Sequence, residues 1–215
     1  MKLRLFVMLA MLLSGALACQ LVPFQGNTTQ TASSVLFQDD FSNPNSGWDR
    51  VTVENGETNY IDGAYRIYVN EPNTDVWSNP GLNFTDVRVE VEGAKVSGDN
   101  DNDFGIACRM NAPDNFYFFI ISSDGYYAIG KYKGNQQELL GTDAMQPSET
   151  IKQDEATNHI RADCVGDTLT LYVNGQKLSE THDDEFKSGD VGLIAGSFEK
   201  PGTDIHFDNF TVLKP

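Results

Sequence analysis

Five side chains have the types and spacing to grip a polar or anionic ligand: Arg109, Tyr117, Tyr127, His159 and Arg161. Arg109 falls out of step with Phe104, Ile106, Cys108 and Met110. Strand alternation therefore predicts it on the opposite face, beside Gly105 and Ala107, whose small side chains leave room for a ligand. In the same way His159, Arg161 and Asp163 alternate with Ile160, Ala162 and Cys164. Guanidinium forks suit hydroxyls and anions, and the faces of Tyr117, Tyr126 and Tyr127 can stack on sugar C–H surfaces. The competing reading pairs each arginine with a neighbouring acid such as Asp163, with no ligand. Trp48 and Trp77 are aromatic platforms by type, but both lie in turn-rich stretches, where a buried or edge-covering indole is the commoner role.

Catalytic patterns are scarce. Glu90 and Glu92 share a strand face, but they alternate with Val87, Val89 and Val91 in the manner of a solvated surface. The three histidines sit in unrelated settings, and no serine- or cysteine-based triad emerges. Asp99-Asn100-Asp101-Asn102-Asp103 begins like a calcium loop, yet Phe104 and Met110 occupy the positions that need glycine and glutamate. That run reads as a solvated loop, and the chain as a non-catalytic protein.

The elements that must position these residues are strands. From Val35 onward the apolar period is two, as in Val87–Glu92, Phe104–Met110 and Leu169–Val173. Turn dipeptides recur at Asp62-Gly63, Asp124-Gly125, Gly166-Asp167, Asn174-Gly175 and Ser188-Gly189. No window carries a helical stripe. About a dozen strands joined by tight turns predict one all-β domain, an antiparallel sandwich or barrel, over residues 35–215. The parity of apolar residues changes between Ile205/Phe207 and Phe210/Val212, which predicts a β-bulge at Asp208-Asn209.

The first residues form a basic start (Lys2, Arg4), an apolar run from Leu5 to Leu13, and small residues before Cys19. This is an export-signal layout over residues 1–18, too short to span a membrane comfortably. Ala16-Leu17-Ala18-Cys19 resembles the lipobox of bacterial lipoproteins. The resemblance implies cleavage before Cys19, acylation of its sulfur with chains such as palmitate, and anchoring to the outer face of the membrane or envelope. The alternative is a soluble secreted protein cut near Ala18. Residues 19–34 are polar and aperiodic, a tether.

Loss of residues 1–18 removes two basic residues and no acid, so a formal charge of −16 becomes −18. A field of that sign argues against nucleic acid as a partner. Cys108 and Cys164 each share a face with apolar residues, so both point to the core. In an oxidising compartment they form a disulfide closing a loop of about 56 residues, or else remain two buried thiols.

Six segments together resemble the concanavalin A-like lectin/glucanase superfamily, near its laminin G-like and 3-keto-disaccharide hydrolase groups. They are Phe37-Gln38-Asp39-Asp40-Phe41 with Gly47-Trp48, Asp103–Arg109, Asn115–Phe119, His159–Ala162 with Leu171–Gly175, Gly189–Leu193, and Phe207-Asp208-Asn209-Phe210. The resemblance implies a jelly roll of two curved antiparallel sheets, and a lectin-like domain that recognises a carbohydrate or envelope component. It also implies a structural Ca²⁺ held by Asp39 or Asp40, Gly63 and Asp208. The Glu-x-Asp-x-x-Glu motif of the glucanase branch is missing. A glycoside-processing enzyme of the keto-disaccharide kind and a structural or adhesive protein-binding module are the two alternatives.

Overall fold

The computed structural model describes residues 34–134 and 136–215. The expected leader 1–18, Cys19 and nearly all of the tether 19–34 lie outside the described residues. Sixteen strands follow in chain order, and the described residues contain no helix. The first eight are β1 (Val35–Asp39), β2 (Val51–Val53), β3 (Gly56–Ile61), β4 (Ala64–Val69), β5 (Thr74–Ser78), β6 (Val87–Ser97), β7 (Asn102–Ala112) and β8 (Asn115–Ile121). The rest are β9 (Tyr126–Lys133), β10 (Gln136–Leu139), β11 (Gln146–Pro147), β12 (Asn158–Val165), β13 (Thr168–Val173), β14 (Gln176–His182), β15 (Asp190–Ser197) and β16 (Thr203–Leu213).

They build two antiparallel sheets. One runs β14-β13-β12-β6-β16-β4-β3-β2, with β1 also on β16; the other runs β10-β9-β8-β7-β15-β5, with β11 also on β9. Alternation explains the layering. On β6, Val87, Val89 and Val91 are buried while Arg88, Glu90 and Glu92 are half-exposed. Inward residues of both sheets, among them Tyr65, Phe104, Ile106, Phe119, Leu171 and Phe207, make the core between the layers. Each fully buried large apolar side chain contributes about 1.5–3 kcal/mol. This is the expected jelly-roll sandwich.

Local signals act as read. Asn174 and Gly175 both have positive φ (50° and 83°), the backbone a two-residue hairpin needs between β13 and β14. The predicted bulge near the C-terminus is present: β16 slips against β6 between Asp208 and Thr211, with Asn209 at φ 54°. The slip lets both Phe207 and Phe210 face the core. Cys108 on β7 and Cys164 on β12 are joined by a disulfide across the core, sheet to sheet, with a separation of 56 residues.

Candidate functional site

The five ligand-binding residues expected from sequence do not converge. Arg109 corrects the alternation argument most directly. β7 carries a bulge there: its register slips against β15 opposite Arg109 and against β8 between Cys108 and Ala112. Arg109 takes φ 54° as the extra residue, so Cys108 stays inward and Met110 joins Ala107 on the outer face. The Arg109 side chain is buried. Its Nε donates to Thr85 O (3.1 Å), its Nη1 to Gly166 O and Phe186 O (2.8 and 3.0 Å), and its Nη2 to Asp86 Oδ1 (3.2 Å). It staples three connecting segments and leaves no open guanidinium.

Tyr117 lies in the core. Its hydroxyl donates to Asp183 Oδ1 (2.5 Å) and accepts from Phe186 N (3.0 Å); burial first, then Asp183, pushes its phenol above the ordinary range. Tyr127 is half-buried and donates to Leu178 O at 3.2 Å. His159 and Arg161 sit on the outer face of the larger sheet. His159 Nε2 is 3.4 Å from Glu90 Oε2. Arg161 forks onto Asp163 (2.8 and 2.5 Å) and stacks 4.1 Å above the Tyr172 ring. The pairing with Asp163 is the ligand-free reading of this arginine.

Of the four expected calcium ligands, Asp39 and Asp40 border one cavity with Asn43, Ser46 and Asn209, whereas Gly63 and Asp208 do not line it. Asp208 instead accepts from Asn209 N (2.7 Å). Among the described residues no three His, Cys, Asp or Glu side chains are grouped to hold a metal. One observation favours a cation: Asp39 Oδ1 accepts from Phe41 N, but its Oδ2 is buried without a partner.

A different site assembles on the outer face of the smaller sheet. Trp77 on β5 meets Phe116 on β8 at 5.2 Å and Tyr132 on β9 at 5.3 Å between ring centroids. In a flat sheet β5 and β9 stand four strands, roughly 19 Å, apart. The sheet is therefore curled, with this face concave. Its floor is small, built from Gly105, Gly130, Gly192, Ala107 and Ala128. A Cβ on Gly130 would come within 2.2 Å of the Phe118 ring, so only glycine fits there.

At one end of this face three residues stand in register across β5, β15 and β7: Asp75, Gly196 and Asp103. A Cβ on Gly196 would lie 2.1 Å from Asp75 Oδ1 and 2.5 Å from Asp103 Oδ2, which bounds the gap between those oxygens at about 4.6 Å. Tyr132 donates its hydroxyl to Asp75. Asp103 is 2% exposed, and its Oδ1 is buried with no hydrogen-bond partner. Burial raises both carboxyl pKa values, and for Asp103 the neighbouring Asp75 adds to it. Burial, then the charge of Asp75, likewise raises the Tyr132 phenol.

Two clefts flank the half-exposed Trp77. One, about 210 Å³, is bordered by Val51, Val53, Asn55, Glu57 and Asp75. The other, about 460 Å³, is bordered by Asn79, Leu82, Met110, Asn111 and Asp190, and both share Asp49 and Trp77. Among the described residues no lysine or arginine lines either cleft. Sequence reasoning passed over this site, reading Asp103 as the end of a solvated run and Trp77 as an edge cover. Glycines inside a strand, Gly192 and Gly196 on β15, were the available signal.

No family model matches the chain, and no curated protein resembles it in sequence. Solved structures do match. The carbohydrate-binding module CBM66 from Bacillus subtilis is similar at a TM-score of 0.64 and 16% identity, over 79% of this chain and 96% of that one. The chain has a jelly-roll fold. A Bacillus subtilis protein of unknown function with a galectin-like fold matches this jelly roll at 0.62 and 11% identity, over 84% and 96% of the two chains. The catalytic domain of an endo-1,3-β-glucanase (laminarinase) from Thermotoga petrophila matches at 0.57 and 10%, over 85% and 98%.

Proposed function

We propose that the jelly roll binds a carbohydrate, without chemistry on it, in the groove formed by the two clefts at Trp77. The observation that carries this reading is the half-exposed indole standing between walls of carboxylates and amides. An indole face stacks on the C–H surface of a sugar ring, and planar groups such as Asp49 and Asn79 fork onto its hydroxyls. The buried Asp190 holds Asn79 in place, accepting from its Nδ2 and from Gly81 N (both 2.7 Å). The carbohydrate-binding module among the similar structures supports the same reading. The carboxylate pair on this face, Asp75 and Asp103, has a member too buried to reach a glycosidic oxygen, which supports binding without catalysis.

Export and a lipid anchor on Cys19 belong to the proposal, and a disulfide suits an oxidising compartment. Calcium is carried forward on Asp39 and Asp40, supported by the orphaned Asp39 Oδ2. A glycan array tests the binding claim. Trp77→Ala is expected to lose retention while still unfolding in one cooperative transition, at a melting temperature lowered by the lost packing on Phe116 and Tyr132, and Arg161→Ala to keep retention. Equal retention by Trp77→Ala refutes the groove. Equal membrane partition of Cys19→Ser refutes the anchor.

A further inference from the structure

The concave face holds an electrostatic oddity that sugar binding alone does not require. Asp75 and Asp103 converge across Gly196 to within about 4.6 Å, and a side chain at residue 196 would collide with both. The charged and titratable groups facing the pair are Asp75 from β5, Asp103 from β7 and Tyr132 from β9; β15 contributes only Gly196. Neither carboxylate has a basic partner among the described residues. Two desolvated carboxylates without a cation repel one another, and the arrangement is relieved by a proton or by a positive guest. Asp103 Oδ1 is a buried acceptor still lacking a donor. Asp75 opens onto the cleft beside Trp77, whose indole face also attracts cations. The cleft's other acids, Asp49 and Glu57, add field of the same sign, with Glu57 partly offset by Arg66 at 3.3 Å.

Building on the carbohydrate reading above, we propose that the groove selects sugars bearing a protonated amine, with the ammonium seated at Asp75 and the field of Asp103 behind it. The guest ammonium takes the place of the proton that the empty pair holds, and that proton passes to the buffer. Neutral sugars use the Trp77 groove without this contact. Uronate or sulfated sugars meet a wall of like charge.

The test uses the purified full chain, a glucosamine tetramer and its fully N-acetylated counterpart, with titration calorimetry at mildly acidic pH, where the amine is protonated. The amino tetramer is expected to bind at least tenfold tighter, with heats that differ between buffers of unlike ionisation enthalpy because a proton is released. Asp103→Asn, nearly isosteric and outside both clefts, is expected to abolish both the preference and the proton release while leaving the N-acetylated tetramer unaffected; Asp75→Asn, at the cleft wall, is expected to abolish the same preference and proton release. Equal affinity for both tetramers overturns the amine preference and leaves the carbohydrate reading standing. Binding of neither, together with a blank glycan array, overturns both.

Discussion

Removing the Cys108–Cys164 bridge perturbs the domain mainly through its unfolded state. The bridge closes a loop with a separation of 56 residues and ties β7 of one sheet to β12 of the other. On the chain-entropy model a loop of that size restricts the unfolded chain by about 14 cal/mol/K, or about 4 kcal/mol at 25 °C. For a domain of this size that corresponds to a fall in melting temperature of roughly 8–16 °C. Both cysteines are fully buried, so Cys108→Ala/Cys164→Ala adds a small cavity cost, on the order of 1 kcal/mol. Reduction of the parent protein carries no such cost and isolates the entropic part. The assay is urea unfolding of the oxidised parent, the reduced parent and the double variant. Expected are lower midpoints for both altered forms, and a steeper denaturant dependence as their unfolded chains expand. A shift below about 1 kcal/mol with an unchanged slope would refute loop closure as the source of stability.

The two arginines expected to share a ligand should separate sharply in urea titrations. Arg109→Met leaves the carbonyls of Thr85, Gly166 and the buried Phe186 without their charged donor and should cost about 1.5–3 kcal/mol, whereas Arg161→Ala loses a solvent-facing pair worth less than about 1 kcal/mol; similar costs would contradict the placement described. Asp103→Asn should stabilise the protein at neutral pH and not near pH 3. The folded carboxyl pKa is raised, so its penalty appears as pH climbs past the unfolded value of about 3.9 and grows until the folded value is passed. A stability gap independent of pH would sink that argument. Chelation should lower the melting temperature by several degrees, with recovery on adding Ca²⁺, if the Asp39 cavity holds the ion; identical melts with and without chelator would remove calcium from the account.

Alternation carried the larger sheet because its central strands have one wet face, as β6 and β12 do. It also oriented both cysteines, since each has apolar neighbours two residues away. The same rule failed at Arg109 for a local reason. Phe104, Ile106, Cys108 and Met110 keep a perfect apolar period through the bulge, so nothing in the pattern betrays the inserted residue. At Asp208-Asn209 the period breaks visibly, and that bulge was legible. The concave face was hidden by β8, which is apolar on both faces from Phe116 to Ile121 and so identifies neither as the core. The acid pair was beyond reach for a topological reason. Asp75 and Asp103 become neighbours only because β15, distant in sequence, inserts between β5 and β7 with a glycine at the meeting point.

The pairing of β1 with β16 has a consequence for how the chain can be rewired. Val35 lies opposite Leu213, so the strand that opens the domain and the strand that closes it meet at one end of a single ladder. A loop of two to five residues is enough to splice them into a hairpin. The chain can then be cut at the Asp62-Gly63 turn, where a Cβ on Gly63 would have nothing within 4 Å, with every sheet neighbour retained. Such a permuted chain would begin at Gly63 and end at Asp62, and would present the groove at Trp77 with residues 1–34 left out.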